Sequence, residues 1–292
     1  MGVFQYEKVK DPTYYGENRV AAHSDHRYYG SVEEMEQHVE NFRHSLNGLW
    51  KFHYAKNYES TIPGFETPEY DCTKWDDIRV PAHIQMEGYD APQYANVQYP
   101  WEGREEIQPG EIPERFNPTA SYVKYFEVPE QMKGKRLFVS FQGAESGIAV
   151  WLNGTFLGYS EDTFTPSEFD LTPYIQETGN RLCVEVYKCS SAAWIEDQDF
   201  FRFLYLYAKP KVHVRDIWLK AELLSGNTTG QLTPVIKLDG ETERAKVHLR
   251  LTDREGYALY DDFTDGSAIT LEGIHPWSHE KPILYHAVLT LQ

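Results

Sequence analysis

Two segments concentrate side chains that can do chemistry. Residues 194–203 read Trp-Ile-Glu-Asp-Gln-Asp-Phe-Phe-Arg-Phe, which puts Glu196, Asp197 and Asp199 within four positions. Three carboxylates so close repel one another unless they are solvated, hydrogen-bonded or shared with a cation. Two readings stand: a solvated acidic loop paired with Arg202, or a carboxylate turned towards a polar ligand or a hard cation, which prefers oxygen donors. Residues 88–101 read Gly-Tyr-Asp-Ala-Pro-Gln-Tyr-Ala-Asn-Val-Gln-Tyr-Pro-Trp. Pro92 and Pro100 favour an extended loop. Asn96 offers both a donor and an acceptor, so it either caps a turn among packed tyrosines or meets the hydroxyls of a sugar. His23 and His26 lie three apart with no third ligand at metal-site spacing, which makes them surface-arm residues. Cys72, Cys183 and Cys189 form no CxxC pair, which argues against a zinc site or a disulfide framework. There is no P-loop and no GxSxG, and Gly143 and Gly147 have the wrong spacing for a GxGxxG turn.

These segments sit in β sequence. Leu182, Val184 and Val186 alternate along one face, as do Val247, Leu249 and Leu251, and again Ile283, Tyr285, Ala287 and Leu289. Period two over such lengths predicts half-buried strands. Asn153-Gly154 between 148–152 and 155–159 predicts a tight hairpin, because both turn positions need φ > 0. Helical signal is confined to Ser31, an N-cap with Glu34 completing a capping box. No strand–helix alternation supports a (β/α)₈ barrel, which would need about 250 residues to itself. The 292 residues carry 28 Lys+Arg against 45 Asp+Glu, a net charge of −17. That charge argues against a nucleic-acid partner, since phosphate binding needs clustered Lys and Arg. No apolar run reaches membrane-span length, and the first residues lack a signal peptide's charged head and apolar stretch; the expected location is the cytoplasm.

The expected architecture is all-β in three parts: an arm over 1–45, a jelly-roll sandwich over 46–208 and an immunoglobulin-like sandwich without its cysteine pair over 209–292. Several motifs carry a family resemblance. They are Ser45-Leu46-Asn47-Gly48-Leu49-Trp50-Lys51-Phe52, Val80-Pro81-Ala82-His83-Ile84-Gln85-Met86, the 88–100 loop, Trp151-Leu152-Asn153-Gly154, Pro166-Ser167-Glu168-Phe169-Asp170-Leu171 and Glu196-Asp197-Gln198-Asp199. Pro276-Trp277-Ser278 with Pro282-Ile283-Leu284-Tyr285 adds to them. Together they resemble the N-terminal region of family 2 glycoside hydrolases. The loop ending Asn96-Val97-Gln98-Tyr99-Pro100, taken with Glu-Asp-Gln-Asp, points to the β-galactosidases among them.

The resemblance implies a jelly-roll sugar-binding domain followed by an immunoglobulin-like domain, with the catalytic barrel expected after them. Retaining glycosidases use two carboxylates, one as acid/base and one as nucleophile; in this family both sit on the barrel, so no catalytic residue is expected within these 292. By motif position, Asn96 matches the residue that hydrogen-bonds the galactosyl group, with Val97 beside it. Asp199 matches a residue that ligates sodium near the sugar's hydroxymethyl group. The other sodium ligands and an active-site magnesium are expected from barrel residues. The partners implied are a β-galactoside, the barrel of the same enzyme and, since the family oligomerises through these domains, further copies of the chain. A stand-alone carbohydrate-binding module or an assembly scaffold remains the alternative. One departure is visible: Phe203 joins Leu204 directly, where β-galactosidases usually carry a short Ser-Gly-aliphatic-Phe-Arg-Asp stretch. A loop shortened there would displace the Asp199 carboxylate.

Overall fold

A computed structural model describes residues 4–91, 101–103, 105–108, 110–161, 164–191, 204–224 and 226–292, together with the backbone of 200–201. Contacts divide the chain into two units, one of Met1–Ala21 with Tyr29–Ala208 and one of Ala22–Tyr28 with Lys209–Gln292. In the first unit the strands run β1 (Gly16–Glu17), β2 (Arg43–Ser45), β3 (Gly48–Ala55), β4 (Asp76–Val80), β5 (Ala82–His83), β6 (Thr119–Phe126), β7 (Arg136–Phe141), β8 (Gly147–Leu152), β9 (Thr155–Ser160), β10 (Ser167–Asp170), β11 (Asn180–Tyr187), β12 (Phe200–Phe201) and β13 (Leu204–Lys209). They form a seven-stranded sheet ordered β1-β9-β8-β11-β6-β3-β4, a four-stranded sheet β10-β7-β13-β2 and the short pair β12-β5. The two larger sheets make a sandwich of jelly-roll type. Its core joins Trp50, Phe52 and Tyr122 from one sheet to Val139, Phe141, Phe169 and Leu206 from the other. The resemblance motifs therefore read largely as core: Leu46, Trp50 and Phe52 are buried, and Trp50 Nε1 donates to the Leu46 carbonyl at 2.9 Å.

Strand β11 departs from the half-buried expectation. Every residue from Asn180 to Tyr187 is buried. Leu182, Val184 and Val186 face the main core, while Cys183 and Tyr187 join a second cluster with Phe4, Val9, Phe65 and Trp151. The second face of the sheet is thus covered too, partly by the first residues of the chain. Phe4 and Val9 lie in the segment read as an arm, yet they are core. Burial on that face forces its polar members into pairs, because an unpaired buried polar group costs about 1–3 kcal/mol. Arg181 donates to the Phe65 carbonyl at 2.7 Å, and Glu185 accepts from the Tyr187 hydroxyl at 2.7 Å.

The Asn-Gly hairpin forms between β8 and β9, with φ of 51° at Asn153 and 82° at Gly154. Asn153 Oδ1 also accepts the Arg181 amide at 2.8 Å, and its Nδ2 reaches the Tyr174 carbonyl and Asn180 Oδ1 at 3.0 Å each. The helical expectation survives as one short helix, α1 (Val32–Glu36), capped by Ser31 Oγ accepting the Glu34 amide at 3.2 Å. Glu34 reaches back one residue beyond the standard box, to the Gly30 amide at 2.8 Å. All three cysteines are free and buried.

The second unit holds β14 (His213–Leu223), β15 (Thr229–Asp239), β16 (Val247–Thr252), β17 (Ala258–Thr264), β18 (Ile269–Glu272) and β19 (His286–Leu291). These pair as two three-stranded sheets, β14-β15-β18 and β17-β16-β19, around Leu232, Leu249, Leu251 and Leu271. Strand β19 begins at His286, later than the alternation from Ile283 suggests. The chain turns just before it, with Ser278 and Lys281 exchanging backbone bonds of 3.0 and 3.1 Å. Tyr285 still packs on this core, and its hydroxyl accepts the His275 amide at 2.7 Å. Residues 22–28 fasten to β14 where its register with β15 shifts between Val214 and Asp216. Ser24 donates its amide to Asp216 Oδ1 at 3.0 Å and accepts the Ile217 amide on Oγ at 2.8 Å. His26 Nε2 and the Tyr28 hydroxyl both meet the Val214 carbonyl, at 3.0 and 2.7 Å. These bonds give His26 a structural role. Among the described residues no helix is long and apolar enough to cross a membrane.

Candidate functional site

Strand register brings one end of the seven-stranded sheet together. Tyr187 of β11 pairs with Thr119 of β6 and with Gly147 of β8, and Ile148 pairs with Ser160 of β9. At that level the fold buries an unusual set of polar residues: Asn117, Thr119, Ser146, Ser160, Glu161, Lys188 and Ser190. Several of them bond the chain as it leaves β11. Asn117 clasps the Cys189 backbone from both sides, donating to its carbonyl at 2.9 Å and accepting its amide at 2.8 Å. Ser146 Oγ donates to the Lys188 carbonyl at 3.0 Å, and the Lys188 amide reaches the Pro118 carbonyl at 3.0 Å. The Ser191 amide bonds the Val9 carbonyl at 2.9 Å, and its hydroxyl lies 3.4 Å from Glu161 Oε2. Glu161 accepts a second bond from the Tyr159 hydroxyl at 2.5 Å. Burial first, and then this carboxylate, push the Tyr159 phenol well above its ordinary pKa, so it stays a donor.

Lys188 also makes an ion pair with Asp90 at 2.5 Å, both side chains almost fully enclosed at 3% and 4% exposure. Asp90 takes a left-handed conformation, φ 54°, two residues after Gly88 at φ 96°. One buried pair therefore joins the chain just ahead of 92–100 to the chain just ahead of 192–199. Beyond the second segment, Phe200 pairs with His83 and Phe201 with Ala82. Asn96, Val97 and Asp199, the residues singled out from sequence, lie outside the described residues, as do Glu196 and Asp197. The structure describes what anchors their segments.

A cleft of about 710 Å³ opens beside these anchors, lined by residues 101–103, 105–108, 110–113 and 189–191. Its carboxylates are held in place. Glu105 accepts the Glu114 amide at 3.1 Å and the Arg115 amide at 2.9 Å, and Glu111 Oε2 accepts the Gln108 amide at 2.8 Å. Neither the cleft nor the Asp90–Lys188 pair was singled out from sequence. The partners of the pair stand 98 positions apart, and the one local hint was a lysine directly after an apolar strand. Elsewhere on this sheet burial pushes Glu185 up to about 7. His23 and His26 lie with ring centroids 6.1 Å apart, and His23 Nδ1 meets the Ser24 carbonyl at 2.9 Å. Among the described residues no group of three or more His, Cys, Asp or Glu stands together as a metal site.

Residues 43–215 match the model of the glycosyl hydrolases family 2 sugar binding domain. A β-galactosidase of Halalkalibacterium halodurans is 47% identical over 97% of this chain and 29% of its own length. One from Streptococcus thermophilus is 44% identical over 96% of this chain and 29% of its own length. A β-galactosidase large subunit of Latilactobacillus sakei is 40% identical over 94% of this chain and 47% of its own length. The chain thus spans 29% of the length of the first two relatives and 47% of the third. Among solved structures, an uncultured Clostridium sp. β-glucuronidase aligns with a TM-score of 0.67 at 19% identity over 93% of this chain and 45% of its own. A Bacteroides vulgatus β-glycosidase aligns at 0.66 and 21% identity over 86% of this chain and 32% of its own. At such identities these two likenesses speak for the fold alone.

Proposed function

The chain belongs to family 2 of the glycosyl hydrolases through its sugar-binding domain, and from that membership we propose that it is the non-catalytic, sugar-binding part of a β-galactosidase. The observation that carries this reading is the 47% identity over 97% of the chain to a β-galactosidase. The whole enzyme hydrolyses terminal β-galactosides such as lactose, with its catalytic carboxylates on a barrel outside these residues. In this reading Asn96 hydrogen-bonds the galactosyl group, Val97 packs beside it, and Asp199 ligates sodium near the sugar. The buried Lys188–Asp90 pair supports it, because it fixes the chain entering each of the two segments, and a ligand-contacting residue works best on a rigid support. In this reading the remaining sodium ligands and the magnesium ligands come from the barrel.

Three relatives carry the name β-galactosidase large subunit, which supports a partner chain as well as a partner domain. The purified 292 residues should show no turnover of an aryl β-galactoside. In the whole enzyme, Asp199→Asn should reduce sodium dependence and activity with folding intact; an unchanged sodium response refutes that role.

A further inference from the structure

In the second unit, Ser24, His26 and Tyr28 fasten residues 22–28 to the edge strand β14 through side-chain bonds, around the register shift at Val214 and Asp216. His26 stands at the middle of this strap. Its Nε2 lies 3.0 Å from the Val214 carbonyl, and its Nδ1 lies 2.9 Å from Ser24 Oγ. A neutral imidazole carries one N–H. With that proton on Nε2, His26 donates to Val214. Ser24 Oγ then donates to Nδ1 while accepting the Ile217 amide at 2.8 Å. One relay runs from the Ile217 amide through Ser24 and His26 to the Val214 carbonyl, and the neutral ring satisfies each of its bonds. A second ring proton, on Nδ1, points at the Ser24 hydroxyl proton, so the hydroxyl has to turn away.

That proton also brings a charge into a half-buried place with little to receive it. The His23 ring is centred 6.1 Å away, and Tyr28, 4.8 Å away, separates His26 from His213. Lys209, a further positive group facing the ring, is buried. Of the carboxylates around it, Asp216 is taken by Lys237 at 3.0 Å and by the Ser24 amide, and Asp239 lies 3.8 Å from His213. Asp25, Arg27 and Arg215 are exposed to solvent.

We propose that residues 22–28 form a pH-sensitive strap, fastened to β14 while His26 is neutral and loosened when His26 takes a second proton. Burial, the largest influence, holds the imidazole below its ordinary 6.5, with His23 and Lys209 adding to the lowering and the Val214 carbonyl opposing it. The folded state therefore binds the proton less readily than the unfolded chain does. The strap's contribution is fully present above about pH 6.5 and is lost as pH falls through the lower folded value. Acid thus releases residues 22–28 from the edge of the second unit.

The test is amide hydrogen exchange, followed by NMR on the 292-residue chain at about pH 7.5 and about pH 5, with rates corrected for the intrinsic pH dependence of exchange. The Ile217 amide, bonded to Ser24 Oγ, reports on the strap. The Leu249 amide, in the buried centre of β16, reports on the rest of the unit. Protection at Ile217 should fall at least about fivefold at the lower pH while that at Leu249 holds. His26→Gln keeps a donor for the Val214 carbonyl but does not titrate, so Ile217 protection should be the same at both pH values. His23→Gln should leave the fall in place. An NMR titration of the His26 ring in the unaltered chain should give a midpoint below 6.5. Equal Ile217 protection at both pH values in the unaltered chain, a fall that persists in His26→Gln or vanishes in His23→Gln, a parallel fall at Leu249, or a ring midpoint at or above 6.5 overturns the strap.

Discussion

The two ends of the first sandwich both hold polar side chains in bonded networks, but over different distances in sequence. At the hairpin end, Asn153 turns the chain and bonds Tyr174, Asn180 and Arg181, at most 28 positions away. At the other end, Asn117 clasps a backbone 72 positions away, and Lys188 pairs with Asp90 across 98. The first arrangement completes a turn that local chemistry already dictates. The second serves no turn or cap; it pins chain that leads into the two candidate sugar segments. The lesson is that non-local buried polar pairs mark where this fold holds its loops, whereas local ones mark where it merely reverses.

Breaking the long-range end should have the largest effect. Lys188→Met leaves the Asp90 carboxylate buried and unpaired, and should cost about 3–5 kcal/mol in urea unfolding. Adding Asp90→Asn should recover much of the loss; a double variant as unstable as the single one would show that the pair is not what matters. Glu185 gives the next effect. Its folded pKa is about 7 against an ordinary 4.5, so the folded state binds the extra proton. The associated stability is fully present below about pH 4.5 and is lost as pH rises through about 7. Glu185→Gln should therefore be stabilising by up to about 3 kcal/mol at pH 8 and near neutral at pH 4 to 5. A difference that does not change between those pH values removes the titration from the account.

The hairpin end should respond less. Gly154→Ala places a methyl at positive φ and 2.7 Å from Pro68 Cδ, a cost of about 1–2 kcal/mol in thermal unfolding. Smallest is Ser24→Ala in the second unit, which removes the acceptor for the Ile217 amide and should cost about 1 kcal/mol. If Gly154→Ala proves worse than Lys188→Met, the contrast between the ends fails.

Sequence pattern carried the elements built from local rules. The Asn153-Gly154 hairpin, the Ser31 cap and the alternation of Val247, Leu249 and Leu251 each depend on neighbours within a few positions. Period two could not reveal that both faces of β11 are buried, because the cover comes partly from Phe4 and Val9, far off in sequence. The same distance hid Lys188–Asp90, whose partners stand 98 positions apart. The candidate residues Asn96, Val97 and Asp199 came from motif resemblance, which no local periodicity could supply.

The most direct test of the central claim is hydrolysis of an aryl β-galactoside by the whole enzyme carrying this chain, compared with its Asn96→Ala variant. kcat/KM should fall at least about tenfold in the variant, the worth of one hydrogen bond to the substrate, with the melting temperature unchanged. An unchanged kcat/KM, or an enzyme with no β-galactosidase activity at all, would contradict it.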